Sequence, residues 1–168
     1  MKKLLTLDLG TMTGWAVGSD GHVMSGSWSL KPSRYDSAGM RFVKLAQRLN
    51  EVFDAYRFEI IYFEEVRRHQ GVDAAHVYGG LLATTQRWCH ENGVECAGVP
   101  VGTIKKMWTG KGNASKELMI AEAVRRGFAP VDDNEADALA IFHWALKEHG
   151  GSVEQPAAPA RVDDPAFV

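Results

Sequence analysis

The chain has 168 residues, 45% of them hydrophobic and 24% charged, with a formal net charge of -2. That composition suits one globular domain with a sizeable core, and it carries no global basic signal, so any contact with nucleic acid must come from a local cluster of Lys and Arg. No stretch approaches the ~18 apolar residues of a membrane span, the N-terminal run meets an acid too early for a signal peptide, and Cys89 and Cys96 lack the spacing of a disulfide framework or zinc site, which predicts a soluble, cytoplasmic protein.

Residues 3–9, KLLTLDL, predict a buried strand that ends on Asp8. A carboxylate beside a buried strand is costly unless hydrogen bonds or a bound cation compensate it, so Asp8 is a candidate for chemistry. TGWAVGS and HVMSGSWSL follow with alternating character around a GSDG turn and predict an antiparallel three-stranded opening. From Asp36 to Arg57, apolar residues recur at helical spacing, and FEIIYFEEV then supplies a strongly apolar strand. That strand ends on Glu64 and Glu65, which point to opposite faces. Apolar residues at Ile60, Ile61, Tyr62 and Phe63 occupy both faces, so alternation does not choose between the two acids.

A second helix runs over DAAHVYGGLLATTQRWCHENG to an Asn-Gly stop, VECAGVP is a short strand, and VGTIKKMW a short helix. The segment VGTIKKMWTGKGNASKELM carries Lys105, Lys106, Lys111 and Lys116 around two glycines, with Trp108 between them. It resembles a phosphate-contacting loop that opens a helix at Ala114 or Ser115, and Arg67, Arg68 and His69 could extend its surface. GKGNASK lacks the spacing of a Walker A motif. The last helix, DDNEADALAIFHWALKEHG, opens with acids: Asp132 and Glu135 suit a cap and the helix dipole, whereas Asp137 lies deeper, with Asp133 and Asn134 on its face and small alanines beside it. From Gly150 the composition predicts a disordered tail, whose DDPAF could dock a protein partner.

This order of elements predicts an α/β domain: a mixed sheet, first three strands antiparallel, with helices on both faces. If the first and fourth strands are neighbours, Asp8 and Glu64 share one sheet edge. With Asp137 and either Asp133 or Asn134 they form an oxygen-rich set, which selects Mg2+ or Mn2+, and such a cluster can hold two ions for phosphodiester hydrolysis.

LDLGTMTGWA, FEEV, IKKMWTGKGNASK and NEADALAIF, in this order and spacing, resemble the RuvC-type Holliday junction resolvases of the RNase H-like nucleases over roughly residues 3 to 148. The resemblance implies an RNase H-like fold with a five-stranded sheet over 1–149, a homodimer, and metal-dependent paired nicking of four-way DNA junctions. It implies metal binding by Asp8, Glu64 and Asp137, which is what favours Glu64 over Glu65, and functional lysines at Lys105 and Lys116. The family's other acid or histidine falls on Asn134, with Asp133 as the substitute. Arg67 stands where bacterial housekeeping members carry an aromatic that wedges into the junction, and such departures look more like phage and prophage members. The helix from Asp73 to His90 matches the family's dimer helix, and its small residues would equally permit burial against the sheet. The DLGT opening also resembles the phosphate loop of actin-like and sugar-kinase ATPases, which need a duplicated domain. Two rivals remain: an RNase H-like nuclease of other specificity, acting on flap DNA or structured RNA, and a junction-binding protein that does not cleave.

Overall fold

The computed structural model describes residues 2–67 and 71–152. Its sheet has five strands: β1 (Leu4–Asp8), β2 (Met12–Ser19), β3 (His22–Ser29), β4 (Ile60–Glu65) and β5 (Glu95–Pro100), in the order β3-β2-β1-β4-β5. β2 is antiparallel to both β1 and β3, and β4 is parallel to both β1 and β5. Five helices complete the fold: α1 (Met40–Tyr56), α2 (Val72–Asn92), α3 (Val101–Thr109), α4 (Lys116–Arg125) and α5 (Asp133–Glu148).

The period of two along β1 sorts the core into two layers. Leu5 and Leu7 join Leu45, Leu49, Val52, Leu81 and Trp88 on the α1/α2 face, while Leu4 joins Ile104, Trp108, Leu139 and Phe142 on the α3/α4/α5 face. α5 lies over the centre of the sheet, where Ala136, Ala138 and Ala140 are fully buried and the buried Thr6 hydroxyl donates to the Ala138 carbonyl at 2.8 Å. Small side chains permit that close approach.

Helix ends follow local chemistry. Ser115 opens α4 and accepts the Leu118 N–H, Asp132 opens α5 and accepts the Glu135 N–H, and Gly93, in the left-handed region, closes α2. α1 begins at Met40 rather than at Asp36, because the Asp36 carboxylate accepts the Ser33 N–H at 2.8 Å and closes a separate turn first. Gly151 donates to the Leu146 carbonyl at 2.8 Å and Ser152 to the Asp20 carboxylate at 3.0 Å, tying the end of α5 down. The rest of the expected tail, from 153, lies outside the described residues, as do Arg68 and His69. Among the described residues no helix is long and apolar enough to cross a membrane, and Cys89 and Cys96 are both free thiols.

Candidate active site

The first carboxylate comes from the end of β1. Leu4 and Thr6 face α5, so Asp8, two residues on, faces it too. In β4, Ile60 and Tyr62 belong to the α5 layer and Ile61 and Phe63 to the α1/α2 layer. Glu64 therefore stands on the α5 face with Asp8, and Glu65 on the other, where it pairs with Arg67 at 3.5 Å. Leu7 is in register with Phe63, which makes Asp8 and Glu64 the next step along the same parallel pair.

The first turns of α5 bring Asp133 and Asp137 to this edge. They are held by β3, whose alternate serines face the helix: Ser25 donates to Glu135 and Ser27 to Asp132, each at 2.6 Å. The second Glu135 oxygen accepts the Val131 N–H at 2.7 Å, so both expected helix-start acids are consumed in positioning. The serines were not singled out from the sequence, although their spacing of two on a strand was a signal that both face one partner.

Asp8 and Asp137 feel the neighbouring acids. Burial first, then Glu64, Asp137 and Asp133, pushes the Asp8 carboxyl well above the ordinary carboxylate range, with Lys116 opposing. Asp137 is pushed up to about 7 by burial and by Glu64, against Lys105, and Glu64 is raised by burial, again against Lys105. Lys116 forms an ion pair with Asp133, and that hydrogen bond raises its own pKa. Lys105, on α3, also donates to the Ala114 carbonyl at 3.2 Å. Both lysines thus stand among the acids, whereas Lys106 and Lys111 are exposed outside them. Trp108 is not on the basic surface: it is 2% exposed, its indole N–H donates to the Met119 carbonyl at 3.1 Å, and the Arg126 guanidinium lies 4.2 Å from its ring centroid. Its place between lysines reflects one helix with an apolar side and a basic side.

Three observations bear on a divalent cation. The donors are hard oxygens on partly buried carboxylates that repel one another, which is the environment a hard cation relieves. The Asp137 Oδ1 atom is buried with no hydrogen-bond partner among the described residues. Against these, no three His, Cys, Asp or Glu side chains among the described residues are gathered tightly enough to form a finished metal site. The donor set fits Mg2+ or Mn2+ in its chemistry. Among the described residues the Asn134 side chain makes no hydrogen bond to the acids, and its backbone carbonyl lies against Gly14.

No protein-family model and no curated protein sequence matches the chain. Solved structures do. RuvC of Thermus thermophilus in complex with a Holliday junction substrate superposes with a TM-score of 0.73 at 25% identity, covering 88% of this chain and 97% of that one. The chain has the fold of the RuvC resolvases. A second Thermus thermophilus RuvC structure gives a TM-score of 0.67 at 25% identity, covering 90% of this chain and 98% of that one. The yeast mitochondrial Holliday junction resolvase Ydc2, at 13% identity, shares the fold with a TM-score of 0.60 over 83% of this chain and 75% of its own. The RuvC-like architecture, with helices on both faces of a five-stranded mixed sheet, is therefore as the sequence predicted.

Proposed function

We propose that the chain is a metal-dependent endonuclease that resolves four-way DNA junctions by paired phosphodiester hydrolysis. The observation that carries this is the convergence of Asp8, Glu64, Asp137 and Asp133, from three separate elements, at one sheet edge, with Lys105 and Lys116 among them. The likeness to a RuvC structure that holds a Holliday junction substrate supports the choice of substrate.

In this reading Asp8, Glu64 and Asp137 hold the cations, with Asp133 as fourth ligand and Asn134 as the alternative. Two bound Mg2+ or Mn2+ ions would supply activation of water and stabilisation of the leaving oxygen. Lys105 and Lys116 neutralise the scissile phosphate, where charge develops in the transition state. Lys116 is held by Asp133 until a phosphate competes for it. Lys106, Lys111 and Arg67, all exposed or nearly so, contact the DNA backbone, and Arg68 lies outside the described residues.

Paired cuts need two sites, which supports a homodimer. On α2, Ala74, Ala75, Gly79 and Ala83 are exposed and open space lies over Gly79, whereas Gly80 is occupied by Phe42 of α1. The former residues leave room for a second copy to approach this face of the helix. The nuclease unit in this proposal is 1–149, working in a bacterial or phage-infected cytoplasm, with the remaining segment available to a protein partner.

The test is nicking of a synthetic four-way junction against matched linear duplex, in Mg2+ or Mn2+ and then in EDTA. Metal-dependent paired nicks confined to the junction establish the proposal. Equal cutting of both substrates makes the chain a general nuclease, and binding without cutting makes it a non-catalytic junction protein.

A further inference from the structure

β3 runs parallel to β1, because both are antiparallel to β2, so the loop after Ser29 leaves the sheet at the edge that carries Asp8. This loop is built rather than loose. Leu30 is fully buried and its N–H donates to the Thr11 carbonyl at 2.8 Å. Asp36 accepts the Ser33 N–H at 2.8 Å and returns its own N–H to the Ser33 carbonyl at 3.1 Å. Lys44, on α1, donates to the Lys31 carbonyl at 2.7 Å and ties the start of the loop to the helix.

At the apex stands Tyr35, 82% exposed, with the Arg34 guanidinium 4.6 Å from its ring centroid. The segment from Lys31 to Lys44 carries four cations, Lys31, Arg34, Arg41 and Lys44, and one acid, Asp36. That acid is engaged: the Ser33 backbone and side-chain hydrogen bonds hold its carboxyl below the ordinary range. Arg41 reaches back to the Thr11 hydroxyl at 3.3 Å and donates to the Ala38 carbonyl at 3.1 Å, which leaves further N–H donors of its fork for a ligand. The adjoining groove of about 620 Å3 toward α2 is lined by Thr11 and Arg41 but also by Asp73 and Ala74, so the basic surface ends at Arg41.

An exposed aromatic with a stacked guanidinium is a platform for an unstacked base, and flanking cations neutralise phosphates. We propose that the loop Leu30–Gly39 and the first turn of α1 bind the DNA strand that leaves the cleavage site, with an unstacked base on Tyr35 and Arg34 and phosphates on Lys31, Arg41 and Lys44. Unstacked bases occur at branch points and in single strands, not in linear duplex, so the surface contributes selectivity at the site on which the nuclease proposal rests.

The experiment measures binding in EDTA to three probes: a four-way junction with 2-aminopurine at the branch point, a dT oligonucleotide and linear duplex. Tyr35→Ala weakens binding to the junction and to dT by about fivefold or more, from the usual worth of one base stacked on an aromatic ring, and leaves duplex binding unchanged. Tyr35→Phe retains binding, since stacking needs no hydroxyl, and Arg34→Glu loses it. Equal junction affinity of Tyr35→Ala and wild type, with wild type nicking junctions normally, overturns this surface alone. Tyr35-dependent dT binding by a wild-type protein that ignores junctions upholds the surface and overturns the junction reading. No binding to any probe overturns both.

Discussion

Gly14 of β2 touches the backbone carbonyl of Asn134 in the first turn of α5 so closely that a β-carbon there would lie inside the oxygen. Gly14 is also the register partner of Asp8. One glycine therefore sets how near the α5 acids come to the β1 acid. Gly14→Ala must push α5 off the sheet, since the obstacle is backbone on both sides. The cost is about 3 kcal/mol or more, at or beyond the upper end of ordinary overpacking. Urea denaturation measures it, and metal-dependent nicking falls with it.

Asp8→Asn separates chemistry from binding. It removes one of the clustered negative charges, so nicking is abolished while affinity for the junction is kept. Relief of the buried carboxyl's desolvation, and then of its repulsion by Glu64, Asp137 and Asp133, raises stability in EDTA by on the order of 1–2 kcal/mol, about 3–6 °C in Tm for a domain of this size. Loss of binding together with cleavage, or a lower Tm, would make Asp8 a structural residue instead.

Asp137, with its pKa of about 7 against an ordinary 3.8, holds a proton in the folded state that the unfolded chain has already released. The folded protein binds more protons between those values, so in EDTA its stability falls as pH rises from about 4 to 7. Asp8 shifts in the same direction and reinforces the slope. Cleavage runs the other way, because cation binding needs the carboxylates ionised, and nicking at sub-saturating Mg2+ rises with pH toward neutrality. A Tm series in EDTA and a rate series in Mg2+ check the two slopes.

Lys116 is 73% exposed at its side chain, so its ion pair with Asp133 contributes at most about 1 kcal/mol to stability. Lys116→Ala leaves Tm almost unchanged and lowers the nicking rate by roughly a hundredfold, as loss of one charge-stabilising group in a transition state does. An unchanged rate would remove Lys116 from the site.

Asp133 and Asn134 are separated by their own pair of variants. Asp133 interacts with Asp8, Asp137 and Lys116, whereas Asn134 meets Gly14 through its backbone. Asp133→Asn raises the Mg2+ concentration needed for half-maximal nicking by about tenfold, in line with losing a ligand or its neighbour. Asn134→Ala changes that concentration by less than about twofold. The reverse pattern assigns the fourth ligand to Asn134.

Local rules made much of this molecule legible. Apolar runs closed by acids identified β1 and β4, helical spacing and cap residues placed α2 to α5, and the strand-helix order predicted the layered sheet, because these depend on near neighbours along the chain. The start of α1 was misplaced by four residues, since the Asp36 side chain that suits a helix start was committed to Ser33 instead. Trp108 was read with the lysines around it, and only the packing of α3 on α4 turned it inward. The choice between Glu64 and Glu65 could not come from β4 alone, whose apolar residues fill both faces. The sequence by itself determined which acids and lysines the chain carries and the elements that end on them. Tertiary structure decided which share a face, through the docking of α5 over Gly14 and Thr6, because a strand's two sides become different only when different layers cover them.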